Sequence, residues 1–309
     1  MTTTPLSIWL LFGAGILALL LIDLFVLHRK PHEVKLREAL LVSGMWIATS
    51  LLFNLWVYLS RGPVAGLDFL TAYFVEKSLS VDNIFLFAVI FRVFQIKPEA
   101  QHRVLYYGVL GALILRAAFV FGGVALLSRF HFFEYVFGGF LILVGGRMIF
   151  EKVETGDSKP NWQVRMARKW LPVTTENTGT HMIVRRSGKW LATPLLLALI
   201  AVELSDILFA VDSVPAVLAI TRDAFIAYSS NVFAILGLRS LYFALARVLP
   251  RFRYIHQGLA AVLVFVGIKM LVSERLAISN GVSLAVICGV LGVAALASRF
   301  APPANISED

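Results

Sequence analysis

Cysteine is all but absent: Cys288 stands alone in 309 residues. No intramolecular disulfide framework and no cysteine-rich metal centre can be built from it, and within its apolar run it is given no role. Histidine is missing where metal chemistry would need it. His28, His32, His102, His131, His181 and His256 fall in loops or near the ends of apolar runs, which disfavours a zinc or copper site. Charged residues make up only 15% of the chain, and no constellation of them reads as catalytic, so no enzyme is expected. The first apolar run, 5–27, has no basic residue before it and no small-residue cleavage site, and is expected to be a retained helix rather than a signal peptide. A formal charge of +9 is spread over short loops, which argues for membrane topology and against nucleic acid as a partner.

What fills the chain is apolar: 59% of residues are hydrophobic, in recurring runs of the length that crosses a bilayer. An all-α membrane protein is expected, a single polytopic domain of about nine transmembrane helices. The runs place them near 6–27, 36–59, 68–91, 103–128, 131–150, 193–220, 224–248, 253–273 and 281–298. Lys and Arg crowd the loops after odd-numbered spans: Arg29, Lys30, Lys35 and Arg37, then Arg92, Lys97 and Arg103, then eight from Lys152 to Lys189, then Arg247, Arg251 and Arg253. Loops after even-numbered spans hold one each, Arg61, Arg129, Arg222 and Arg275. The positive-inside rule then puts the N-terminus outside and the C-terminus in the cytoplasm. The polar segment 151–192 becomes a cytoplasmic loop. Its stretch Asn161 to Leu171, NWQVRMARKWL, reads either as an amphipathic helix on the inner leaflet or as a solvated linker.

The chain repeats itself. EKSLSVDNIFLFAVI from Glu76 aligns without a gap on DILFAVDSVPAVLAI from Asp206, and FHFFEYVFGGFLILVGGRMIFE from Phe130 on FRYIHQGLAAVLVFVGIKMLVS from Phe252. Repeat one covers about 68–150 and repeat two about 193–273. Three spans per copy is an odd number, so the copies are expected to be inverted, an arrangement that places a substrate site near the midplane of secondary transporters.

Inside these runs stand carboxylates. Glu76 and Asp82 in the third span repeat the spacing of Asp206 and Asp212 in the sixth, where Glu203 joins them. Buried charges of this kind need a partner, an ion or a proton. Asn83, Ser205 and Ser213 add neutral oxygens, and Pro215, with the short polar side chains of Asn83 and Ser213 after the aspartates, predicts a kink or unwound turn near both VD motifs that would aim carbonyls at the same place. Glu76, Asp82, Asn83, Asp206, Asp212 and Ser213 are therefore the candidate metal ligands. An all-oxygen set suits Mg²⁺, Ca²⁺ or Mn²⁺. The cations Lys77, Arg116 and Arg239 are expected around the site as counter-ions; the plainer alternative is that they pair with the acids only to hold the bundle. Asp23 reads either as an interfacial residue or as a relay. Arg147 and Lys269 read as snorkelling anchors, and Gly138, Gly139, Gly145, Gly146 and Gly267 as close-packing positions.

IDLFVLHRK, EKSLSVDNIF and ELSDILFAVDSVPA resemble the motifs of the TerC family, most nearly its Alx-type members, over nearly the whole chain. The resemblance implies a multi-pass protein of the bacterial inner membrane similar to manganese exporters. The family's acidic residues carry over onto Glu76, Asp82, Asp206 and Asp212. The function expected is a secondary transporter that exports Mn²⁺ as its substrate, with protons as the exchanged ion and no resident cofactor. The alternatives are export of another divalent cation such as Ca²⁺, or a non-transporting accessory or sensor protein in metal or tellurite stress.

Overall fold

A computed structural model describes residues 4–23, 36–130, 132–150, 181–186, 189–245, 254–272 and 278–300. Helices dominate: α1 (Leu6–Ile22), α2 (Leu36–Arg61), α3 (Pro63–Val93), α4 (Pro98–Arg129), α5 (Phe132–Phe150), α6 (Pro194–Leu218), α7 (Ala224–Leu236), α8 (Leu238–Leu245), α9 (Ile255–Val272) and α10 (Asn280–Phe300). A short antiparallel hairpin, β1 (Ile183–Arg186) with β2 (Lys189–Ala192), precedes α6. It is the one departure from all-α among the described residues. The amphipathic stretch Asn161 to Leu171 lies outside them.

Local chemistry sets the boundaries. Pro63, Pro98 and Pro194 occupy first turns, where a missing N–H costs nothing. Gly62, at φ 91°, makes the tight joint between α2 and α3 that a side chain would strain. Asp223 caps α7, accepting from the backbone N–H groups of Phe225 at 2.8 Å and Ile226 at 3.2 Å. Leucines such as Leu11, Leu41, Leu59 and Leu143 remain exposed on the outside, the pattern of a surface turned to lipid.

Among the described residues, six helices qualify as membrane spans by length and apolarity, or seven if α7 and α8 form one broken span. Nine were expected. Two of the differences have plain causes: α1 has 17 residues, short of a full crossing, and α3 carries Asp68, Glu76, Lys77, Asp82 and Arg92 among its 31 residues. The expected unwinding near the two acidic motifs does not occur. Both α3 and α6 run as continuous helix through them, and Pro215 sits so near the end of α6 that it removes a single bond. The break lies instead at Gly237, where α7 and α8 meet at 42°.

The interior is built by α3, α4, α6 and α7. Helix α3 packs on both α6 and α7, and α4 packs on α6. Helix α7 is central, buried from Phe225 to Leu236 apart from Tyr228. Helices α5 and α9 pack along a seam whose inner residues, Leu141 and Val266 among them, join the core against α3, α4 and α6. A Cβ on Gly145 would meet the Ala260 oxygen at 2.7 Å and the Val264 nitrogen at 3.0 Å; one on Gly267 would meet the Gly138 oxygen at 2.7 Å and the Ile142 nitrogen at 3.1 Å. Numbers rise along one helix as they fall along the other, so the two are antiparallel. Of the expected packing glycines, Gly139 and Gly146 meet nothing within 4 Å and do not line this seam. Lys269 is also not a surface anchor: it is buried beside the charge of Asp68, because α9 turns that face toward α3.

Candidate functional site

The polar centre of the molecule is Arg116. It lies midway along α4 and is only 1% exposed, which for an always-charged group demands acceptors on every side. They come from three helices. Its Nη1 donates to Glu76 Oε1 on α3, to Ser213 Oγ on α6 at 2.6 Å and to Asn231 Oδ1 on α7 at 3.5 Å, while Nη2 donates to Asp206 Oδ1 on α6 at 3.3 Å. Glu76 and Asp206 are themselves buried. Among the described residues, the remaining oxygens, Glu76 Oε2 and Asp206 Oδ2, have no hydrogen-bond partner, and neither do Arg116 Nε and Asn231 Nδ2.

Of the expected ligands, the structure thus gathers Glu76, Asp206 and Ser213, and moves Arg116 from the surroundings to the middle. Asn83 is buried with its Oδ1 unpartnered. Asp82 stands on α3, with its side chain outside the described residues. Asp212 does not join Asp206: six positions on an unbroken helix turn through about 240°, and Asp212 is partly exposed where Asp206 is buried. Ser205 spends its hydroxyl on the Ala201 carbonyl at 2.6 Å. Among the described residues no three His, Cys, Asp or Glu side chains form a group able to hold a metal, so the acids are met here as the partners of an arginine.

The other charges take separate places. Arg239 of α8 donates to Asp23, at the end of α1, at 2.6 Å, so these two pair with each other across the sequence. Lys77 donates to the Ala234 carbonyl of α7 at 3.2 Å, one turn before the break, and its ammonium lies over Gly237. Glu203 of α6 rests its carboxylate on Gly111 of α4, where any side chain would collide with it. Asn231 was missed. The polar triplet Ser229, Ser230, Asn231 inside an apolar helix, all buried, is the same kind of clue as the acids but carries no charge.

Comparison with known proteins identifies the family. The model of the family described as integral membrane protein TerC matches residues 61–305. The chain is 48% identical to "Uncharacterized membrane protein STKORF319" of Myxococcus xanthus, over 97% of this chain and 95% of that one. It is 43% identical to "Putative membrane-bound redox modulator Alx" of Salmonella typhi, over 94% and 92%, and 38% identical to an uncharacterized membrane protein of Rickettsia bellii, over 94% and 96%. No solved structure matches. With a family model spanning most of its length and full-length relatives that bear the Alx name, the chain belongs to the TerC family of integral membrane proteins, as an Alx-type member.

Proposed function

We propose that this protein is a secondary transporter that exports Mn²⁺ from the cytoplasm across the bacterial inner membrane in exchange for protons. One observation carries the reading. Glu76 and Asp206, which occupy equivalent positions in the two sequence repeats, meet on one buried guanidinium, each with an oxygen to spare. The ligand set proposed around them is Glu76, Asp82, Asn83, Asp206, Asp212 and Ser213, all oxygen donors suited to a hard divalent ion. Asp212 and Asp82 would have to join by movement of α3 or α6, as alternating access requires.

Packing supports an inverted repeat. Exchanging α3 with α6, α4 with α7 and α8, and α5 with α9 carries the α4–α6 contact onto the α3–α7 contact and leaves α3–α6 and α5–α9 in place. In the seam, Gly145 against Ala260 and Val264 becomes Gly267 against Gly138 and Ile142, the same contacts related by the repeat offset. Equivalent helices that pack antiparallel are what opposite orientation in the membrane produces. Loop charges favour an outer N-terminus and a cytoplasmic C-terminus.

The reading is tested with purified protein in liposomes, following Mn²⁺ and internal pH together under an imposed pH gradient. Flux of Mn²⁺ toward the acidic side, with counterflow of protons, is expected. Asp206→Asn and Asp212→Asn should insert normally and lose the flux. No flux of Mn²⁺, Ca²⁺ or Mg²⁺ by wild type would leave the accessory or sensor role; flux that moves no protons would reject the exchange.

A further inference from the structure

We infer that the Arg116 guanidinium is a tethered cation that occupies the acidic site between transport events, so that a metal ion enters only as Arg116 leaves. The inference rests on the proposed transport of a divalent ion and concerns the same oxygens.

The contacts of Arg116 are those of a metal ion in miniature. One group draws carboxylate, hydroxyl and amide oxygens from α3, α6 and α7, the donor types a hard cation takes. The same oxygens cannot serve both, and two cations on one acid pair would repel in an interior with little solvent to screen them. Arginine suits this duty because it keeps its charge at any working pH.

Nor is Arg116 bound as a permanent bridge would be. Arginine–carboxylate pairs frequently fork, with two parallel hydrogen bonds onto one carboxylate. Among the described residues, Arg116 touches each carboxylate through one oxygen, its Nε has no partner, and Nη1 with its two hydrogens faces three acceptors. The held geometry is incomplete, and the second oxygens of Glu76 and Asp206 are left without a partner. An incoming ion can therefore take these oxygens first and displace the guanidinium from the others by steps. The position of Arg116 then reports occupancy to α4, the helix that carries it.

The test measures Mn²⁺ affinity by electron paramagnetic resonance on the purified full-length wild type, Arg116→Gln and Arg116→Lys, each checked for folding by size exclusion. Removing a competitor that makes charged hydrogen bonds should tighten binding by roughly tenfold or more in Arg116→Gln, with loss of turnover in liposomes. Arg116→Lys, with three donors in place of five, should tighten it by a smaller factor, and carries the test alone should the glutamine variant not fold. Unchanged or weaker binding in the folded variants, with wild type still transporting Mn²⁺, overturns the inference and leaves transport standing. Binding of Mn²⁺ to no form overturns both.

Discussion

At the residue scale, Arg116 is balanced twice. Breaking a buried ion pair by removing one partner commonly costs ~3–5 kcal/mol, yet Glu76→Gln leaves Asp206 to face the guanidinium. Its cost should fall below that range, and Asp206→Asn should behave likewise. The double variant Glu76→Gln with Asp206→Asn strands the cation and should lose more than the two singles combined. Thermal unfolding of all three in one detergent checks this; strict additivity would mean that the two carboxylates do not share Arg116. The acids were legible in the sequence because charge inside an apolar run is conspicuous. The identity of their partner was not. Arg116, Arg239 and Lys77 look alike in a linear reading, and only the fold sends them to Glu76 with Asp206, to Asp23, and to the Ala234 carbonyl. Asn231 escaped because a neutral amide breaks an apolar helix less visibly than a carboxylate.

At the scale of elements, two glycines predict opposite outcomes. Gly267→Ala would press a methyl into the backbone of α5, at Gly138 and Ile142, and backbone cannot yield. It should destabilise by about 1–3 kcal/mol with transport by the surviving folded protein unchanged. Gly111→Ala would first meet the carboxylate end of Glu203, the far end of a flexible side chain that can swing away. Stability should hold while Mn²⁺ flux changes if Glu203 takes part, and Glu203→Gln should then reproduce the change. Melting curves and flux on the same samples separate the two. Helix existence followed from apolar runs, but helix continuity did not. Pro215 drew attention as a breaker and is absorbed in a last turn, while Gly237, one of 22 glycines, marks the actual break. Nothing local distinguishes it; the bend is set by where α7 must bury and α8 must turn.

At the scale of the molecule, topology is the first thing to establish. Single cysteines placed in a Cys288-free background should label from the cytoplasmic side in the 151–192 segment and from outside near residue 62; labelling of that segment from outside would reject the inverted orientation. Aligned blocks of 15 and 22 residues make a repeat visible in the sequence itself, whereas the number of crossings was not legible, since α3 is too charged and α1 too short to judge by hydropathy. The seam between α5 and α9 has one more consequence. Each surface of the seam meets the sequence counterpart of itself, so a second copy of the same half is expected to fit it as well. A fragment ending at residue 150 would present Gly138, Ile142 and Gly145 with no α9 to cover them, and should find a second fragment, crosslinking as a symmetric pair through Ile142→Cys, the position that faces its own counterpart in this register. What now holds one chain closed would then serve as the contact of a dimer, and the linker between the halves would be a convenience of inheritance.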